Sequence, residues 1–287
     1  MKVHILEPIG YCKGVELAIQ KAINLSKKYD KICVLGMLVH NNDALKELES
    51  NGIITIYSKD KEIYDLIDEI PQGYKVILTA HGHELKVEEK LQKLGIEYFD
   101  LTCPKVLLAE QKIKEIISLG HQIIFIGKKN HPEANAMVSI SSDIFLYDIN
   151  SDFDFSQIKD SSPFVMSQTT FSKDEINNIY LKIKEVIKDA NIIENVCNAS
   201  NLRQQAVKNI KNDADAIIVV GGFNSNNTKT LYYMAKSLYP NCLVLHVENL
   251  KQINEKDLKG LNHIYILSGA STPKHIILEI KDYLESI

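Results

Sequence analysis

Residues 2–12, KVHILEPIGYC, place a cysteine a few residues beyond a short apolar segment, and the chain repeats this arrangement twice more. EYFDLTC at 97–103 and NIIENVC at 191–197 end on Cys103 and Cys197, which lie 91 and 94 residues after the preceding cysteine. Gly10 and Gly14 flank Cys12; without a Cβ, glycine lets the backbone come close to something bulky. Twenty-four residues beyond the cysteines stand Gly36, Gly127 and Gly221, which end the apolar runs KICVLG, QIIFIG and AIIVVG. Four residues further stand His40, His131 and Ser225, in the loops LVHNN, KNHPEAN and FNSNNT. A third polar station follows in TAHGH, SQTT and SGAST, at His81, Thr169 and Ser271, which lie 69, 66 and 74 residues after their cysteines. One cysteine and two polar loops, three times in register, mark an internal repeat. The period is too long for a solenoid unit and suits three small α/β domains about a pseudo-threefold axis.

Between the stations, short strand patterns alternate with helical ones, which implies parallel βαβ units. KICVLG, QIIFIG and AIIVVG are continuous apolar runs, as in strands buried on both faces. VELAIQKAINLSKK, KEIYDLIDEI, ELKVEEKLQKLG, KVLLAEQKIKEIISLG and KDEINNIYLKIKEVIKD carry helical periodicity. The first two repeats end on a strand that leads into the next cysteine, whereas the third ends on the helix PKHIILEIKDYLESI. The strand before Cys12 is therefore expected to complete the third sheet. The expected domains are 13–102, 103–196, and 197–287 together with 1–12, each α/β with a mostly parallel sheet.

Composition narrows the function. The chain of 287 residues is 45% apolar and 24% charged, and its formal charge of −4 argues against a nucleic-acid partner held through phosphates. No apolar run approaches the length of a membrane span, and MKVHILEPIGYC lacks a secretory pattern, so the expectation is no membrane and the cytoplasm. Five cysteines, an odd number, do not read as a disulfide framework in such a chain.

Ligands of α/β units bind at the carboxyl ends of strands, where every station lies. If the repeats face one axis, Cys12, Cys103 and Cys197 converge. Three thiolates can hold zinc with a fourth ligand such as His131, or an iron–sulfur cluster with one iron left open. Cys33 and Cys242 lie in strand runs and read as small buried hydrophobes. His40, His81, His131, Thr169, Ser225, Asn227 and Ser271 are neutral donors, several at expected helix starts, which suits a phosphate or diphosphate. Glu133 is the one acid among the stations, and a carboxyl near a cluster and an anion can be kept protonated to donate a proton. His4, His121, His246 and His263 lie in or beside strand runs and are assigned to packing. A zinc protein and a non-catalytic phosphometabolite binder fit the same residues.

GYCKGVELAI (10–19), VHN (39–41), AHG (80–82), TCP (102–104), HPE (131–133), SQTT (167–170), VCNASNLRQ (196–204), GGFNSNNT (221–228) and GAST (269–272) occur in an order that resembles the 4-hydroxy-3-methylbut-2-enyl diphosphate reductase family. The resemblance covers essentially the whole chain. It implies a trefoil of three α/β domains around a 4Fe–4S cluster held by Cys12, Cys103 and Cys197, whose open iron takes the substrate's hydroxyl oxygen. It implies reductive loss of that oxygen as water, giving isopentenyl and dimethylallyl diphosphates, with an external electron donor such as ferredoxin or flavodoxin. By the same resemblance His40, His81, His131, Ser225, Asn227 and Ser271 grip the diphosphate, Thr169 orients the hydroxyl, and Glu133 supplies protons. Asn226 stands where the family usually has serine; an asparagine still donates, so an adjusted diphosphate contact is expected there.

Overall fold

A computed structural model describes residues 1–287. Strand β1 (Lys2–Ile5) precedes Cys12. The first repeat then forms α1 (Lys13–Ser26), β2 (Ile32–Leu35), α2 (Asn42–Ser50), β3 (Ile54–Ile56), α3 (Ile63–Leu66), β4 (Lys75–Leu78), α4 (Leu85–Lys93) and β5 (Tyr98–Asp100). The second forms α5 (Pro104–Ser118), β6 (Ile123–Gly127), α6 (Pro132–Val138), β7 (Ile144–Asp148), β8 (Phe164–Ser167), α7 (Lys173–Val186) and β9 (Asn191–Ile192). The third forms α8 (Asn198–Lys208), β10 (Ala216–Val220), α9 (Asn226–Leu238), β11 (Leu243–Val247), β12 (His263–Ser268) and α10 (Lys274–Ser286).

These strands make three four-stranded parallel sheets, ordered β3-β2-β4-β5, β7-β6-β8-β9 and β11-β10-β12-β1. The three orders are the same once β1 counts as the last strand of the third repeat. Val3 pairs with Ile264 and Ile5 with Ile266, so the strand before Cys12 does complete that sheet. The fold class is α/β, as the alternation predicts. Compactness divides the chain into one unit of Met1–Leu17, Val39–Glu47 and Asn198–Ile287 and another of Ala18–Leu38 and Leu48–Cys197. The first unit holds the sheet containing β1, and the second holds the other two.

The first strands of the three repeats, β2, β6 and β10, carry no polar side chain because both of their faces are covered. In β10, Ala216, Ile218 and Val220 pack with Ile276, Ile277 and Ile280 of α10. The alternate residues Ile217 and Val219 pack with Val207 of α8 and Leu231 of α9. The second repeat is built alike: Ile123 and Phe125 face α5 and α6, while Ile124 and Ile126 face α7. The period of two along each strand thus assigns its helices to opposite faces.

Two elements differ from the sequence reading. The helix expected over KEIYDLIDEI is the single turn α3 followed by a 3₁₀ turn at Ile67–Glu69, because Pro71 holds Ile70 extended. The strand leading to Cys197 stops at Ile192. Beyond it the Asn195 carboxamide takes over the pairing, accepting from the Ser167 N–H at 3.0 Å and donating to the Ser167 carbonyl at 2.5 Å.

Candidate functional site

Each of the three cysteines stands immediately before a helix: Cys12 before α1, Cys103 before α5 and Cys197 before α8. Each also donates its backbone N–H to the second residue beyond the third strand of a repeat. Cys12 bonds the Ala270 carbonyl at 2.8 Å, Cys103 that of Ala80 at 3.0 Å, and Cys197 that of Thr169 at 2.8 Å. The repeat seen as cysteine spacing is therefore a repeated backbone anchor. None of the three cysteines is in a disulfide, and all three are half-buried. The positive end of a helix dipole at each sulfur favours a ligand of net negative charge. No three His, Cys, Asp or Glu side chains converge on a single ion position.

In the unit holding β1, the anchor of Cys12 is braced from two sides. Asn227 accepts from the Ala270 N–H at 3.0 Å and donates to Ser200 Oγ at 2.9 Å. Arg203, only 3% exposed, donates to the Gly10 carbonyl at 2.7 Å, the Ser268 carbonyl at 3.1 Å and the Ala199 carbonyl at 3.1 Å. It thereby ties the loop before Cys12 to the end of β12 and the start of α8. The sequence reading missed this residue. Arg203→Met is expected to leave those carbonyls without their donor and cost about 3 kcal/mol or more. Denaturant unfolding measures that cost, and iron content per chain reports whether the Cys12 loop still holds.

The polar stations of this unit lie at the same strand ends. Ser225 caps α9, with Oγ accepting from the Thr228 N–H at 3.3 Å, which leaves its hydroxyl hydrogen for another acceptor. Asn226 opens the helix, and Ser271 is buried just past β12. His40 lies against Gly222, where an added Cβ would stand 2.3 Å from the His40 carbonyl oxygen. Burial, with the Lys229 charge, pushes the His40 imidazole down to about 4, so the ring is neutral at pH 7. His40 does not cap α2; the Asn41 carboxamide does, accepting from the Asp43 and Ala44 N–H groups at 3.0 and 2.9 Å.

The other unit joins four of the expected residues in pairs. Glu133, 2% exposed, accepts from the Thr169 N–H at 2.8 Å through Oε1, and its Oε2 lies 3.2 Å from Thr169 Oγ1. Burial pushes the carboxyl up to about 7, against the lowering effect of these two bonds. Asn130, in a left-handed turn at φ 64°, swings the chain so that His131 caps α6; asparagine is among the few residues that tolerate such a turn. His131 Nδ1 accepts from the Glu133 N–H at 3.2 Å, which puts the ring proton of the neutral form on Nε2. The His81 ring meets the His131 ring edge-on, 6.0 Å between centroids. Of the stations, then, only His131 and Ser225 cap helices, fewer than the sequence reading expected.

The residues set aside are occupied in packing. His246 bonds the Gly221 carbonyl at 2.9 Å, His121 bonds Asp160 at 2.9 Å, and His4 stacks between His263 and Tyr265. His83, given no role from sequence, bonds Glu88 of α4 at 2.7 Å and so pins the loop that carries His81.

The match to known proteins spans the chain. The model of the LytB protein family matches residues 3–285. A 4-hydroxy-3-methylbut-2-enyl diphosphate reductase of Symbiobacterium thermophilum is 33% identical, over 99% of this chain and 97% of that protein. One of Fusobacterium nucleatum is 32% identical over 100% of this chain, which spans only 34% of that longer protein. The solved structure of the E-1-hydroxy-2-methyl-but-2-enyl-4-diphosphate reductase from Plasmodium falciparum superposes with a TM-score of 0.86 at 27% identity, covering 98% of this chain and 87% of the other. The chain belongs to the LytB protein family.

Proposed function

We propose that the protein reduces (E)-4-hydroxy-3-methylbut-2-enyl diphosphate to isopentenyl diphosphate and dimethylallyl diphosphate. The observation that carries this reading is the buried Glu133–Thr169 pair, joined through the Thr169 carbonyl to Cys197. It sets a carboxyl able to hold a proton near neutral pH beside a hydroxyl that both donates and accepts. The donor set fits a thiolate-held cluster, since three cysteines outside any disulfide each stand at the start of a helix and each is fixed by its own N–H. Cys12, Cys103 and Cys197 would hold a 4Fe–4S cluster, which would supply electrons drawn from an external donor of the ferredoxin or flavodoxin type. The reaction takes two electrons and two protons; the allylic C–O bond breaks, water leaves, and the new C–H bond at either end of the allylic unit gives the two products.

The chain's own residues do the rest. His40, His81, His131, Ser225, Asn226, Asn227 and Ser271 bind the diphosphate as neutral donors. Thr169 orients the substrate hydroxyl, and Glu133 delivers its proton through Thr169. No helix is long and apolar enough to cross a membrane. Supplied anaerobically with the diphosphate and an artificial reductant, the iron-loaded protein is expected to form both products. The free diol is expected to bind at least tenfold more weakly, because bonds to an anion are the strong ones. Comparable turnover of the diol, or none of the diphosphate by iron-loaded protein, would overturn the reading.

A further inference from the structure

In the unit that holds β1, the chain around His40 leads into α2 and the chain around Ser225 leads into α9. The two segments touch backbone to backbone at His40 and Gly222. Glu248, directly after β11, joins them. Asn42 Nδ2 lies 3.2 and 3.0 Å from its two carboxylate oxygens, and the Phe223 N–H donates to its Oε1 at 3.1 Å. Asn42 stands two residues after His40, and Phe223 two before Ser225. The Glu248 N–H donates to Gln252 Oε1 at 2.6 Å, which fixes the turn from which the carboxylate reaches out.

The second repeat carries a shorter form of the same device. Ile126 pairs with Tyr147 as Val220 pairs with Val247, so Asp148 is the counterpart of Glu248 and Lys129 that of Phe223. Asp148 Oδ1 likewise accepts from the Lys129 N–H, at 3.5 Å. In the first repeat, where Leu35 pairs with Ile56, Tyr57 holds the place. An acid after this strand therefore braces the segment ahead of a station, and Glu248, one methylene longer, also reaches a second segment. A carboxylate has no hydrogen to donate and its charge repels an anion, so Glu248 is unsuited to bind the diphosphate itself. We infer that Glu248 is a positioning residue that acts through these two segments, its carboxylate holding the His40 and Ser225 donors at the separation that grips the diphosphate; this rests on the function proposed above.

The probe is inorganic diphosphate, titrated calorimetrically into anaerobically purified iron-loaded protein, alongside steady-state kinetics with the substrate. Glu248→Ala separates a clamp from a simple field by sign. Removing a negative charge near an anion strengthens binding by Coulomb's law, whereas releasing the clamp weakens it. Glu248→Ala is expected to weaken diphosphate binding and raise KM by about tenfold, with kcat within a few fold, since bonds to a charged group contribute on that scale. Asn42→Asp, which sets two carboxylates face to face, is expected to do the same. Combining Asn42→Asp with Glu248→Gln rebuilds the joint, because the glutamine amide can donate to the new carboxylate while its oxygen still takes the Phe223 N–H. That pair is expected to return to within a few fold of the parent, whereas Asn42→Asp with Glu248→Ala, of the same net charge, is not. Parental or tighter diphosphate binding in Glu248→Ala would overturn the inference and leave the function standing. Equal behaviour of the two paired variants would also overturn it, by assigning the effect to charge or to general disturbance. A parent protein that binds no diphosphate would overturn both the inference and the function.

Discussion

Glu133→Gln is expected to retain its iron and its affinity for substrate while turnover falls by about 10² or more, the usual scale for a general acid. Glutamine keeps the shape and can still meet Thr169, but it has no proton to give up. The wild-type carboxyl is suited to the task because burial holds it near 7, far above an exposed glutamate. The same shift predicts a stability effect of known sign. The folded state keeps the proton to about pH 7 while the unfolded chain releases it in the ordinary carboxylate range. Its stabilising contribution is therefore complete below that range and is lost as pH rises to about 7. The loss amounts to about 3 kcal/mol. Glu133→Gln has no such proton, so its stability relative to wild type should rise across the same window and level off above it. Measuring iron content, substrate binding, turnover and unfolding against pH in matched preparations checks both statements. Near-normal turnover in Glu133→Gln would reduce this residue to an acid in the first turn of α6.

Serine at Cys12, Cys103 or Cys197 is expected to strip most of the iron and abolish turnover. Serine at Cys33 or Cys242 should leave iron and activity in place. The contrast follows from where the thiols lie. Cys33 sits inside β2, fully buried, and burial pushes its thiol up to about 12, so it is neither a ligand nor a nucleophile. Cys242 donates to the Ala214 carbonyl at 2.9 Å, and burial raises it too. Substituting Cys33 should cost only about 1–2 kcal/mol, for burying a hydroxyl in a sulfur's place. The other three thiols stand at helix starts on anchored backbones. Iron retained in Cys103→Ser and lost in Cys33→Ser would show that the repeat had been read onto the wrong sulfurs.

The architecture was legible because it repeats. The alternation of strand and helix predicted the parallel sheets, and the missing last strand of the third repeat predicted that the strand before Cys12 completes its sheet, which it does beside β12. The pairing of Glu133 with Thr169 was within reach because both belonged to recognisable stations. The exact register of the third stations was less legible, because they were counted from the cysteines, across helices and loops whose lengths differ between repeats. Arg203 was missed because an arginine in a polar stretch such as NLRQQ reads as a solvated helix residue, and its acceptors are carbonyls from Gly10 and Ser268, far away in sequence. Asn195 illustrates the same limit, since a side chain that substitutes for a strand leaves no periodic signal.

Metal and sulfide analysis of the anaerobically purified protein tests the account most directly. Iron with acid-labile sulfide, a brown colour and loss of both in Cys12→Ser, Cys103→Ser and Cys197→Ser are the predicted results. Zinc in place of iron, or a protein that carries no metal yet binds diphosphate, would contradict it.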